Sequence, residues 1–446
     1  MKNIILLSVV ATSFVLGANV VNDLEIDQIN KVHSNSSFSN GATVSQGQTD
    51  IQNNSNVNDV SILQRDGANA GNLIENTTIS GTNSELHQGL TSIDNSRLDY
   101  ADLESDNTVR RVEVTSGKST ITQGNLIIGG DSNISGSAGS TGGGFGGIGG
   151  STGENLEITQ INLLEDTSIK NSNIHQGHTV INSGAEVSKT FKLNQNNSIT
   201  LLDATGNDIN ASTLTQGITN ISGGITSDIE QNIRNIMEDI TVDGSTIKQS
   251  SINFSNSTVS NINNNNNEGN PDDRNRVTKT EALNDSTIKQ SSINLDESTI
   301  DGLYKQETDG LNENNWIHTV TVDDSTVKQS TLNAINDSHV TNVTYKKESM
   351  SEIYSAPNLV YNSDALNNSN FLQDVSELNY GDIEDTTFNR GNSINTVNAD
   401  NSTVKQFNIT VNNSALRSSN LRASSITGGV NLTNANLSQG STIITN

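Results

Sequence analysis

One short phrase recurs along most of this chain and constrains its fold more than any other feature. An aliphatic anchor is followed two residues later by glutamine and then by glycine: Thr43-Val44-Ser45-Gln46-Gly47, Leu86-His87-Gln88-Gly89, Thr120-Ile121-Thr122-Gln123-Gly124, Ile174-His175-Gln176-Gly177 and Thr213-Leu214-Thr215-Gln216-Gly217. Later copies carry lysine and serine, as in Thr246-Ile247-Lys248-Gln249-Ser250, Thr287-Ile288-Lys289-Gln290-Ser291, Thr326-Val327-Lys328-Gln329-Ser330 and Thr403-Val404-Lys405-Gln406. A last copy reads Leu437-Ser438-Gln439-Gly440. Successive anchors lie 42, 35, 53, 40, 33, 41 and 39 positions apart as far as Val327. The next interval, to Val404, is 77, and a degenerate copy at Leu366-Asn367-Asn368 would divide it into 39 and 38. A fixed period of this size marks an array whose repeats stack on their neighbours, since one repeat alone cannot bury its apolar face.

The expected fold is therefore all-β: a parallel, right-handed β-solenoid or β-helix of about eleven repeats of ~40 residues. The chain divides into residues 1–18 as a signal peptide, 19–40 as an N-terminal segment or cap, and 41–446 as the solenoid. A glycine-serine insertion at 136–153 and an asparagine-rich polar loop at 263–274 read as external loops. The leader rests on Met1-Lys2-Asn3, an apolar run at 4–16 and Gly17-Ala18, which match the basic, apolar and small-residue regions of an export signal. That run is too short to span a bilayer, so no membrane span is expected in the mature chain. Hydrophobic residues make up only 31% of the chain, which would suggest disorder without the repeat. A solenoid escapes that limit by burying a thin apolar column and satisfying the rest through ladders.

A second apolar residue follows the anchors by seven, at Ile51, Ile93, Ile128, Ile181, Ile221, Phe254, Leu295, Val411 and Ile444, and Val327 is followed by the smaller Ala334. An odd offset cannot keep both residues on one face of a straight strand, so a corner must lie between them. The Gly or Ser after the glutamine would supply it. An earlier corner is expected at Asp243-Gly244, Asn284-Asp285 and Asp323-Asp324, where turn formers precede the anchor. Longer excursions read as strand-turn-strand segments, with Asp106-Asn107, Asp309-Gly310 and residues 312–315 as their turns. The one segment with a helical pattern is 229–237.

Two family resemblances follow from particular residues. Ser414-Ala415-Leu416-Arg417-Ser418 and Ser419-Asn420-Leu421-Arg422-Ala423, continuing to Ile426, resemble the pentapeptide-repeat family. That likeness implies a four-sided right-handed solenoid with leucine pointing inward. Val60-Ser61-Ile62-Leu63-Gln64-Arg65-Asp66-Gly67-Ala68-Asn69-Ala70 and Ser402-Thr403-Val404-Lys405-Gln406-Phe407-Asn408 resemble the curlin repeat of bacterial functional amyloid. That likeness implies an extracellular β-solenoid that polymerises outside the cell.

The glutamines Gln46, Gln88, Gln123, Gln176, Gln216, Gln249, Gln290, Gln329, Gln406 and Gln439 are expected to face inward and form an axial amide ladder. Asp243, Asp323 and Asp400, with Asn284, would form a corner column able to hold calcium, the only cofactor the pattern suggests. Turn preference explains these residues equally well. His175 and His178 lack partners at metal-site spacing and read as ordinary surface residues. The threonines before the anchors suggest an ice-binding column, but Glu85, Asn173 and Asn436 interrupt it. The lysines beside it read as a solvated face.

Fifty acidic residues against 24 basic ones give a net charge of −26, which repels nucleic acid and anionic membranes. Trp316 is the single tryptophan, and no repeat gains a carboxylate cluster beside aromatic platforms. The expected function is a non-enzymatic secreted or cell-surface structural protein, a fibre subunit or adhesin-like stalk. Self-association and a cell-surface or polysaccharide ligand are the expected partnerships. The alternative class is a polysaccharide-binding or polysaccharide-degrading β-helix enzyme. The last copy, running to Ile443 and Ile444, would expose an apolar end that invites head-to-tail association.

Overall fold

The computed structural model describes residues 10–445 apart from breaks between strands. The longest breaks are 115–118, 136–155, 206–211, 266–274, 302–310 and 346–357. The glycine-serine insertion at 136–153, most of the polar loop at 263–274 and the Asp309-Gly310 turn thus lie outside the described residues. Strands follow one another from Val10–Gly17 to Asn436–Thr445, and no helix occurs among the described residues. They form two large sheets, of 16 and 26 strands. Pairing is parallel apart from the short contact of Arg65 and Asp66 with Ala70 and Asn69. This is a parallel β-solenoid.

Gln46 pairs directly with Gln88, and Gln88 with Gln123, so one repeat makes one turn. A turn can be followed from Asn72–Ser80 in the larger sheet to Glu85–Gln88 and Thr91–Asp94 in the smaller one. It returns through Arg97–Leu98 to Ala101–Val114, which pairs back onto Asn72–Ser80. Alternation dictates what each strand buries. In Glu85–Gln88 the side chains of Leu86 and Gln88 are buried, while Glu85 is exposed and His87 half-buried. The core is a column of Ile74, Ile79, Leu86, Val109, Val114, Ile121, Leu164, Ile174 and their successors, all buried. Each such side chain contributes about 1.5–3 kcal/mol by leaving water.

The corners explain the odd spacing. Gly89, Gly124, Gly177 and Gly217, each after its glutamine, have φ of +60° to +63°. In the later repeats the ladder skips the equivalent serine: Gln249 pairs with Gln290 and Ser251 with Ser292, leaving Ser250 and Ser291 out. The earlier corner is a left-handed residue three before the anchor, at Asn83, Asn171, Gly244, Asp285, Asp324, Asn368, Asn401 and Asn434. At all of these but Asn434 a buried serine follows, and its hydroxyl accepts from the serine backbone of the preceding repeat in pairs such as Ser245 N–H to Ser286 Oγ at 3.3 Å and Ser286 N–H to Ser325 Oγ at 3.0 Å. A third left-handed column in the larger sheet runs through Asn76, Arg111, Asp166, Leu201, Asp239, Lys279, Thr319, Asn362 and Thr396. The ladder skips this position as well, with Glu75 on Arg110 and Thr77 on Val112.

Several local expectations change. Asp106-Asn107 is no turn: it lies inside the strand Ala101–Val114, whose bend falls at Arg111 with φ +50°. Asn315 likewise begins the strand Asn315–Asp323 and pairs with Asn275 and Asn358. Residues 229–237 form part of the strand Ile225–Asp243, because pairing on both sides outweighs a weak helical pattern. The degenerate copy is also elsewhere. Val327 pairs with Phe371 and Gln329 with Gln373, so Asn370-Phe371-Leu372-Gln373 is the repeat, and Leu366-Asn367-Asn368 is its corner. The strands Val20–Val21, Leu24–Asp27, Asn30–Val32 and Ser36–Ser39 already belong to the parallel stack, with Leu24 on Val60, Asn30 on Asn72 and Ser36 on Thr77. Val10–Gly17 pairs with Thr43–Gln52.

Candidate functional site

The structure brings the sequence-derived glutamines into one register column: Gln46, Gln88, Gln123, Gln176, Gln216, Gln249, Gln290, Gln329, Gln373, Gln406 and Gln439. The side chains of Gln46, Gln329, Gln406 and Gln439 lie outside the described set, as does that of Gln373. From Gln88 to Gln290 the amides are buried. Each later Nε2 donates to the preceding Oε1: Gln123 to Gln88 at 2.8 Å, Gln176 to Gln123 at 2.8 Å, Gln216 to Gln176 at 2.7 Å, Gln249 to Gln216 at 2.8 Å and Gln290 to Gln249 at 3.0 Å. The second N–H crosses the interior to a backbone carbonyl of the larger sheet, such as Leu163 at 3.4 Å from Gln176. The column therefore ties the two sheets together.

A second ladder in the larger sheet escaped sequence reasoning. Asn30 donates to Asn72 at 2.8 Å, Asn72 to Asn107 at 2.9 Å, Asn107 to Asn162 at 2.9 Å and Asn162 to Asn197 at 2.7 Å, all buried. Here the earlier residue donates, opposite to the glutamines. The register carries the column on through Asn197 to Asn235, and again through Asn275, Asn315, Asn358 and Asn392. Its signal is Asn followed two residues later by an aliphatic, as in Asn72-Leu73-Ile74 and Asn107-Thr108-Val109.

The calcium column does not assemble. Asp243 is level with Leu283, and Asp323 with Leu366. Asp400 lies one residue beyond Ala399, which pairs with Ala365. An extra residue widens the corner at Asn284-Asp285 and at Asn367-Asn368, so leucines alternate with the carboxylates. Successive carboxylates then stand two turns apart, roughly 9–10 Å. Asp243 and Asp323 accept instead from Asn284 and Asn367, both at 2.7 Å. No group of three or more His, Cys, Asp or Glu able to hold a metal occurs among the described residues.

The outward side of the glutamine sheet carries the chemistry that varies. His175 and His178 are half-buried rather than ordinary surface residues, because the Gly177 corner turns their two faces towards each other. Their rings lie 5.3 Å apart at 61°. His175 Nδ1 and His178 Nε2 both contact Thr215 Oγ1, at 2.7 Å and 2.6 Å. Burial and then the neighbouring His175 push the His178 imidazole down to about 3, and burial also lowers His175. Continuing along the same column, Lys248, Lys289 and Lys328 stack in register. Leu372 then interrupts the column before Lys405. Beyond the corner, Asn253 donates to Asn220 and Asn294 to Asn253, each at 2.6 Å, and Asn333 follows in register.

Comparison of the chain with protein-family models, curated proteins and solved structures found no match. Among the described residues no helix is long and apolar enough to cross a membrane.

Proposed function

We propose that this chain is a non-enzymatic, exported structural protein, a fibre subunit or adhesin-like stalk, whose solenoids associate end to end. One observation carries the reading: the glutamine and apolar columns keep one register from turn to turn, so the face of one turn fits the face of the next, and Leu432, stacked over Ala399, is 44% exposed on such a face. A second copy that continues the ladder would cover this apolar column and pair the backbone groups beside it. Such a contact is heterologous and propagates. Export rests on the residue pattern of 1–18, and the curlin likeness at residues 60–70 and 402–408 agrees with an extracellular fibre.

The net charge of −26 opposes association, so salt should promote it. Light scattering and electron microscopy of the mature chain across ionic strength test the proposal, beside a Leu432→Glu variant. Filaments that grow with salt and vanish in the variant are expected. A wild-type chain that stays monomeric at high protein and salt overturns the reading. Depolymerisation of any polysaccharide in a purified screen would overturn its non-enzymatic part.

A further inference from the structure

The glutamine, asparagine and corner-serine columns satisfy themselves by stacking, since amides and hydroxyls both donate and accept. The lysine column cannot, because an ammonium has donors and no acceptor. Lys248, Lys289 and Lys328 nonetheless occupy three consecutive turns, in register and half-buried. No ion pair among the described residues involves any of them. Like charges directly opposite one another destabilise a sheet. Burial, followed by the neighbouring Lys328 and Lys248, lowers the Lys289 ammonium from its usual range. This cationic strip stands out in a chain with twice as many acidic as basic residues. Nothing in the fold requires it.

The same three strands carry asparagine five residues beyond each lysine, at Asn253, Asn294 and Asn333. The histidine contact two turns earlier shows that the outer faces on the two sides of this corner turn towards each other. The register continues from that turn into the lysine turns. The lysines and the asparagines Asn253 and Asn294 thus form two parallel columns on either side of the corner, repeating at about 4.8 Å.

We propose that the surface carrying the columns of Lys248, Lys289 and Lys328 and of Asn253 and Asn294 binds an extended acidic polysaccharide lying along the solenoid axis. An extended glycan advances by roughly one turn spacing per sugar, so its carboxylates meet the ammonium row while its hydroxyls meet the amide row. Nucleic acid fits less well: its charge density, one phosphate per ~1.7 Å of duplex, is repelled by the rest of this acidic chain. The proposal deepens the adhesive side of the reading above. Binding is measured on dilute monomer and assembly on concentrated protein alone, so either can fail by itself.

The test is titration of the mature chain with polygalacturonate in EDTA, across ionic strength, with dextran and duplex DNA as comparison ligands. Polygalacturonate binding that weakens with salt is expected, without dextran binding. The variant K248Q/K289Q/K328Q should bind roughly tenfold or more weakly, since three screened charge contacts are lost. Its thermal unfolding should be unchanged or raised. Lys289→Glu replaces it if the triple variant does not fold, and should also weaken binding. K405Q, beyond the Leu372 interruption, should bind as wild type. No polygalacturonate binding, lysine variants that bind as wild type, or tighter binding of DNA would each overturn the proposal.

Discussion

Gly177 and Asn162 meet so closely that a Cβ on the glycine would lie 2.5 Å from the asparagine Nδ2 and 2.9 Å from Gln160 Oε1. Gly124 stands in the same relation to Asn107, where the approach is closer still. The corner of one sheet thus presses on the amide ladder of the other, and the glycine is required twice, by its φ of +62° and by the lack of space.

Gly177→Ala should therefore lower stability by about 2–4 kcal/mol, through left-handed strain and displacement of the Asn162 amide. Urea unfolding followed by far-UV circular dichroism measures it. Wild-type stability would show that the corner can relax.

Gln176→Leu removes the acceptor of Gln216 and the donor to Gln123, leaving two buried amides short of a partner. The expected loss is about 2–5 kcal/mol. The double variant Gln176→Leu with Gln216→Leu should cost less than the sum of the single changes, because they share one hydrogen bond. Strict additivity in a double-mutant cycle would argue against a coupled ladder.

Leu201 holds φ +54° and is 53% exposed, so it bears backbone strain with little burial in return. Leu201→Asn should stabilise by about 0.5–1 kcal/mol. Destabilisation in the same urea assay would mean that the leucine makes contacts worth more than the strain.

The histidine pair sets a pH dependence. His178 in the folded chain binds its proton only near pH 3, whereas the unfolded chain takes one up near 6.5. Between these values the unfolded state holds more protons, so stability is full above about pH 6.5 and falls as pH decreases towards 3. On the order of 2 kcal/mol should be lost between pH 6.5 and 4.5. Denaturation midpoints of wild type and His178→Gln across this range provide the check, and the variant should lose most of the slope. Identical slopes would place the titration elsewhere.

The sequence made the glutamine column legible because a buried amide bridging two sheets must recur with the same neighbours in every turn. The asparagine ladder was as regular in space but hidden, since Asn-x-aliphatic is a short signal and asparagine also fills corners such as Asn83 and Asn171. That double use is why Asp106-Asn107 read as a turn. One-residue insertions at Asn284 and Asn367 shifted the corner alignment, which produced the false calcium column and misplaced the repeat at Phe371. The histidine cluster was illegible because alternation marks a residue as outward but not whether the wall there is concave. Pairing between turns fixed what spacing left open.

The two interior ladders run with opposite donor sense. Each later glutamine donates backwards, from Gln123 to Gln88, while each earlier asparagine donates forwards, from Asn72 to Asn107. Their amide dipoles therefore oppose one another along the axis, and lengthening the stack builds little net dipole from these side chains. The same arrangement gives the rod a direction. A cut face looking towards higher residue numbers offers a glutamine carbonyl and an asparagine amino group, and the opposite face offers their complements. Two rods that point the same way continue one another with like columns over like columns, whereas a reversed copy with like columns superposed would bring carbonyl against carbonyl and amino against amino.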